Sequence, residues 1–551
     1  MRALTPSALS LLLLAPALAA PSALGQAPRA RIAALLDQLS TVRAIGPVAL
    51  APDAQTIAMV LAGTLTLQPV ANPSAAQAPQ LCPGTQAAEI RSLTWSPDQK
   101  HLAVLATCGQ TTGVYTFDLP AVGGKIKPAH RLAELHGFAK SLDYAPDGQK
   151  LGLLYVEGAS RPSGALAAMK PPSGVIGVEG LEIQRVASLD AATGKLQQLT
   201  PPDLHVYEFS WSPDSARIAY VAAPPPGENN WWIAKLYTGR AGTSLPAPGA
   251  PSHLVLDPST VPGSLHGLQI AVPRWSPDGS HLAFIGGLMS DQGATGGDIY
   301  LVPSNGGSPV NLTPAIPSSP TWLHWQTNSS LQFAEVLSGA SALARLTLAP
   351  DFSTARIEPP VFTLPETIGS GGLEMELSFA RNGSAAMTRS SLNTPPEVWL
   401  WSPHAADHPF TRLTTLNADH KPSWGKLEAR HWTNQGFRVD GWLLYPANYD
   451  PAKKYPLLVM VHGGPSSAVI PRWPSAGFGA APFSALGYFV LEPNPRGSYG
   501  EGEAFTQANR RDFGYGDLSD ILAGVDAVER SLPIDDHRLG LTGWSYGGFM
   551  T

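Results

Sequence analysis

The stretch Leu539-Gly-Leu-Thr-Gly-Trp-Ser-Tyr-Gly-Gly-Phe-Met-Thr551 decides how the last part of this chain folds. A short strand-like run leads into Gly543-Trp544-Ser545-Tyr546-Gly547, a G-x-S-x-G sequence. On a strand-to-helix turn this pattern exposes a serine hydroxyl. Glycines flank it because the turn brings backbone atoms too close together for side chains. In a glycine-rich chain the pattern alone is a weak signal, and its surroundings decide. Tyr455-Pro-Leu-Leu-Val-Met-Val461 reads as a buried strand running directly into His462-Gly463-Gly464-Pro465, where such a fold places its oxyanion loop. Tyr488 to Leu491 reads as another buried strand, and Phe437 to Pro446 as the first of the set. Leu518, Ile521, Leu522, Val525 and Val528 follow helical spacing, with Asp517 near the helix start and Pro533 beyond its end. Strands alternating with helices predict a parallel α/β sheet.

A serine hydroxyl needs a base, and in this fold class the order is Ser, then Asp or Glu, then His. The expectation is therefore a truncated α/β-hydrolase domain whose triad Asp and His lie beyond Thr551. A second expectation is that the helix after Ser545 does not form, which leaves Tyr546 on an unsupported turn. His462 precedes the serine and fits the oxyanion loop, not the base. His537 reads as a surface residue and Asp520 as a helix residue.

Further upstream a short signature recurs roughly every fifty residues. It reads Ala51-Pro-Asp53, Trp95-Ser-Pro-Asp98, Tyr144-Ala-Pro-Asp-Gly148, Trp211-Ser-Pro-Asp214 and Trp275-Ser-Pro-Asp-Gly279. Weaker copies follow at Trp325-Gln-Thr-Asn328 and Phe379-Ala-Arg-Asn-Gly383. Proline presets φ for a turn, Asp bonds its own backbone, and Gly accepts positive φ. An apolar strand follows each of the clear copies, and the leading aromatic can pack between neighbouring sheets. A period of this length, built of short strands, predicts a β-propeller of seven blades, with six or eight left open by the weak end copies. The two long intervals contain insertions, Gly158 to Gly180 and Pro224 to Pro251, the second carrying Trp231 and Trp232. The repeated aspartates read as architectural.

The 551 residues exceed one hydrophobic core. Hydrophobic content of 44% and charged content of 14% describe a globular chain, and a net charge of −6 without a basic cluster argues against nucleic-acid binding. Arg2 followed by apolar Ala8 to Leu18, with small residues at Ala17-Leu-Ala19 and Ala23-Leu-Gly25, reads as a signal peptide over residues 1–25. The protein is expected to be exported, periplasmic or extracellular, without stable membrane insertion, since no later run reaches the roughly 18 apolar residues of a span. In an exported chain the two cysteines, Cys82 and Cys108, suit a disulfide, but simple hairpin register does not set them opposite each other, and their pairing stays open. No metal site and no cofactor are read. The organisation predicted is signal peptide 1–25, β-propeller 26–425 and α/β-hydrolase domain 426–551.

His462-Gly-Gly-Pro465, Asn494-Pro-Arg-Gly-Ser-Tyr-Gly500, Gly516-Asp517 and Gly543-Trp-Ser-Tyr-Gly-Gly548, together with the Trp-Ser-Pro-Asp turns, resemble the prolyl oligopeptidase family of serine peptidases. The resemblance implies a peptidase that hydrolyses short peptides through an acyl-enzyme on Ser545. It implies the backbone amides of Tyr546 and Gly464 as oxyanion donors, with the propeller restricting access. His462 stands where prolyl oligopeptidase and dipeptidyl peptidase IV carry a tyrosine, which is closer to the acylaminoacyl-peptidase-like branch. The chain has no Glu-Glu pair of the kind that holds the substrate ammonium in dipeptidyl peptidase IV. Two other readings stand beside this one, a propeller-capped esterase and a non-catalytic propeller that binds a partner. The P1 preference, the mode of cleavage and the oligomeric state are not legible.

Overall fold

The structure, a computed structural model, describes residues 23–84, 87–120, 124–159, 181–225, 230–242, 252–369, 375–405 and 407–551. Seven antiparallel sheets follow one another, spanning 45–69, 88–135, 137–198, 205–256, 269–311, 319–364 and 367–412. The first strands of blades one and two, two and three, four and five, and five and six lie side by side, as inner strands lining the axis of a seven-bladed propeller do.

The recurring turns explain the repeat. Ser96 Oγ donates to Asp98 Oδ1 at 2.7 Å, and that carboxylate accepts the Lys100 amide at 3.1 Å. Ser276 and Asp278 repeat the contact at 2.7 Å. These bonds hold the Asp98 carboxyl below its ordinary value. The leading tryptophans bridge blades as expected: Trp95 Nε1 donates to the Ala49 carbonyl at 2.9 Å, and Trp325 Nε1 to that of Arg274 at 3.2 Å. The first and seventh blades close the ring by packing. Leu50, Ile57 and Met59 meet Ala386, Val398 and Leu413, and Arg381 N donates to the Pro52 carbonyl at 2.9 Å.

Cys82 and Cys108 form a disulfide, with Cα atoms 5.5 Å apart. Cys82 lies in the loop before the second blade, not on a paired strand, so strand register alone did not reveal the pairing. The first insertion lies outside the described residues from 160 to 180. The described part of the second includes a 3-10 turn, Trp231–Ile233, in which Trp231 is buried.

The hydrolase sheet has five strands: β1 (Leu427–Asn434), β2 (Phe437–Leu444), β3 (Tyr455–Val461), β4 (Phe489–Asn494) and β5 (Ile534–Gly543). Their order is β1-β2-β4-β3-β5. Only β4, β3 and β5 run parallel. β1 and β2 form an antiparallel hairpin on one edge, so the expectation of a parallel sheet holds for β4, β3 and β5 alone. A two-residue turn between β1 and β2 leaves no room for a crossover helix.

Helix α1 (Ala23–Ser40) packs mainly on this sheet, with Leu392 of the seventh blade in the same cluster. Leu35 and Leu39 join Leu444, Leu458, Met460, Trp473 and Val490, and Arg31 Nη1 donates to the Ala485 carbonyl at 3.0 Å. The packing therefore departs from a propeller beginning at residue 26: the described residues start mainly against the hydrolase, cross into the propeller at about residue 45, and return after residue 412. Of the expected leader, residues 1–22 lie outside the described residues, and 23–25 form the first turn of α1. Among the described residues no helix is long and apolar enough to cross a membrane.

Candidate active site

β3 and β5 are parallel neighbours that end in register, Val461 opposite Gly543. The loop after β3 and the turn after β5 therefore leave the sheet side by side. At that point a Cβ on Gly463 would lie 3.2 Å from Ser545 Cβ and 3.2 Å from the Trp544 carbonyl oxygen, so the His462–Pro465 loop rests against the serine. Ser545 has φ 55° and ψ −116°, a left-handed conformation rare for a non-glycine residue. The flanking glycines are required as expected. A Cβ on Gly543 would meet the Gly547 carbonyl carbon at 2.3 Å, and one on Gly547 would meet the Val461 oxygen at 2.0 Å.

A helix does follow the serine. Tyr546–Met550 is helical, with Gly548 N donating to the Ser545 carbonyl at 2.9 Å and Thr551 N to that of Gly547 at 3.1 Å. The expectation that it could not form is corrected, and so is the picture of Tyr546 on an unsupported turn. Tyr546 is buried, its hydroxyl donating to the Asp517 carboxylate and accepting from Asn509 Nδ2 at 3.2 Å. Its ring packs edge-on against Phe513 at 5.1 Å. Tertiary contacts supply what a single helical turn lacks by itself.

His462 is half-buried, and desolvation of its ring lowers its pKa, opposed by the Gly463 carbonyl. Its Nδ1 pairs with the Gly463 carbonyl at 2.6 Å and its Nε2 with Ser498 Oγ at 2.9 Å. Both nitrogens are engaged away from Ser545, which agrees with the reading of His462 as no base. His537 stands exposed beside Asp536. Asp520 lies on the helix Gly516–Ser531, as read, but is fully buried there. Its Oδ1 pairs with Arg496 Nη2 at 2.7 Å, and its Oδ2 accepts Arg496 Nε and the Arg496 amide, both at 2.9 Å.

The segment 494–500 joins the parts of the site. Asn494 Oδ1 accepts the Val469 amide at 2.8 Å, and its Nδ2 donates to Asp440 at 2.9 Å. Ser498 holds His462, and Tyr499 N donates to the Ser467 carbonyl at 2.8 Å. Beside the elbow lies a cavity of about 530 Å³ lined by His462, Gly463, Trp544, Trp442, Arg472 and Glu492. Burial raises the Glu492 carboxyl to about 7, opposed by the Arg472 charge. Among the described residues no cluster of side chains suits a metal ion.

Residues 474–551 match the family model described as "Prolyl oligopeptidase family". A probable dipeptidyl-peptidase 5 of Aspergillus terreus is 27% identical over 365 residues, covering 64% of this chain and 47% of that protein. An uncharacterized peptidase, YuxL, of Bacillus subtilis is 41% identical over 131 residues, 22% of this chain and 19% of that one. The Pyrococcus horikoshii acylaminoacyl peptidase superposes with a TM-score of 0.65 at 16% identity, covering 94% of this chain and 75% of that structure, a likeness of fold. The chain spans about half the length of dipeptidyl-peptidase 5 relatives such as the Aspergillus protein.

Proposed function

We propose, from the match of residues 474–551 to the prolyl oligopeptidase family model, that the whole protein is a serine peptidase that cleaves short peptides through an acyl-enzyme on Ser545. The observation that carries this reading is the strained serine pressed against the Gly463–Gly464 loop at the aligned ends of β3 and β5. In the proposed reaction Ser545 Oγ attacks the peptide carbonyl carbon. A base takes the hydroxyl proton, and the amides of Tyr546 and Gly464 stabilise the resulting oxyanion. His462 is not that base in this reading, because both of its nitrogens are bonded elsewhere. The propeller sits over the loops of this site and restricts what reaches it. Export is part of the same proposal, supported by the apolar run before α1 and by the Cys82–Cys108 disulfide, a bond favoured in oxidising compartments.

The test is fluorophosphonate labelling of the whole protein, read by mass spectrometry. An adduct on Ser545, lost in Ser545→Ala, is expected, together with turnover of a dipeptidyl or acetyl-aminoacyl anilide. The 551-residue chain assayed by itself is expected to show no turnover above its Ser545→Ala control. An adduct on any other residue overturns the assignment.

A further inference from the structure

The loop next to the serine is held partly by the propeller. Ser466 N donates to Ser290 Oγ at 2.6 Å, and Ser290 belongs to the fifth blade. It sits in the 288–297 loop between the strands His281–Gly287 and Asp298–Pro303. The hydrolase grips that loop in return. Glu503 Oε1 accepts the Leu288 amide at 2.8 Å, and the Tyr499 hydroxyl donates to the Ala294 carbonyl at 2.8 Å. Tyr499 N in turn donates to the Ser467 carbonyl, so the bonds form a closed circuit: Ser466, Ser290, blade loop, Tyr499, Ser467.

The geometry leaves Ser466 little freedom to act alone. Gly464 has φ 127°, and a Cβ built there would lie 2.8 Å from Ser466 N, so the chain folds back on itself within two residues. Any shift of the Ser466 amide moves the Gly464 backbone. Without the Ser290 hydroxyl, a buried backbone donor loses its partner, a state the loop escapes only by moving or by admitting water. Gly463 touches Ser545, so such movement is felt at the nucleophile.

We propose that Ser290 is a positioning residue for the peptidase reaction: through Ser466 it fixes the oxyanion loop, so the propeller helps to build the transition-state pocket as well as to cover it. This rests on the serine-peptidase reading. Misplacement of reacting groups by about an ångström costs on the order of a hundredfold in rate, which bounds the effect.

The experiment uses the whole protein with Ser290→Ala, Ser290→Thr and, as a control in the same blade, Ser304→Ala. Ser304 Oγ donates to the Gly279 carbonyl at the blade's Ser-Pro-Asp-Gly turn and touches nothing in the site. Ser290→Ala is expected to lower kcat on a peptide anilide roughly ten- to hundredfold with KM little changed, and to slow fluorophosphonate labelling of Ser545 by the same factor. Ser290→Thr, which keeps the hydroxyl, is expected to recover most of the rate, and Ser304→Ala to lose none. Amide hydrogen exchange at Ser466 is expected to rise in Ser290→Ala alone. Wild-type kcat and labelling in Ser290→Ala overturn the proposal. So does an equal loss in Ser304→Ala, or a loss in a folded Ser290→Thr as large as in Ser290→Ala. If the unaltered protein is not labelled at Ser545, the peptidase reading fails; the exchange at Ser466 then still reads whether Ser290 holds the loop.

Discussion

Asp520 has no exposed surface and accepts from the amide and guanidinium of Arg496 and from Asn434 Nδ2. Such a pair is costly to break, because removing one partner strands a buried charge. Asp520→Ala is expected to destabilise the hydrolase unit by about 3–5 kcal/mol, measured by urea unfolding. A loss below about 1 kcal/mol would mean that water replaces the carboxylate. Glu335, in the sixth blade, is also buried and bonded to Ser318, and burial raises its carboxyl to about 7. The fold thus favours the protonated form. Its contribution is full below the unfolded value near 4.5 and is lost as pH rises towards 7, on the order of 3 kcal/mol in all. Glu335→Gln, which stays uncharged, is expected to flatten propeller stability over that window. An unchanged slope in thermal melts from pH 4.5 to 7.5 would count against it.

At the level of elements, the turns of the propeller were legible because Ser, Pro and Asp act within a few residues of one another. The inner-strand bulges were not. Register shifts fall between Lys140 and Asp143, Val206 and Glu208, and Ala271 and Arg274, with Ser141 and Val272 at positive φ. These kinks turn Asp143, Glu208 and Arg274 towards one another, so that Arg274 opposes the rise that burial imposes on both acids. A bulge adds one residue without any composition signal. The second blade also carries the Cys82–Cys108 link, which closes a loop with a sequence separation of 26. Cys82→Ser with Cys108→Ser is expected to lower propeller stability by about 3 kcal/mol. Reductant should lower the unfolding midpoint of the parent and leave that of the double variant unchanged.

At the scale of the whole molecule, hydrolase and propeller meet through the segment 494–507. Gly500 N donates to Ser319 Oγ at 3.0 Å, Ser338 N donates to the Gly500 carbonyl at 3.0 Å, and Ser338 Oγ donates to Glu501 Oε1 at 2.8 Å. On the proposed reading, the propeller held against the elbow loops in this way limits the size of substrate that can pass. The whole protein is expected to cleave peptides of a few residues and to leave a folded protein of ordinary domain size intact, as followed by mass spectrometry. Efficient digestion of a native domain would show an open site and remove the gating part of the proposal.

The sequence by itself determined the features whose causes are local. The serine elbow, its flanking glycines and the Ser-Pro-Asp turns are set by steric limits and hydrogen bonds within a few residues. The alternation of strand and helix marked the hydrolase. Tertiary structure decided whatever depends on residues far apart in the chain. Helix α1 joined the hydrolase because Leu35 and Leu39 find their apolar partners there, about four hundred residues later. The single turn after Ser545 became helical because Asp517, Asn509 and Phe513 hold Tyr546. Ser290 entered the site only because the fifth blade carries it to Ser466. No periodicity encodes such meetings; they arise when separate apolar faces are buried against each other and the remaining polar groups must find partners.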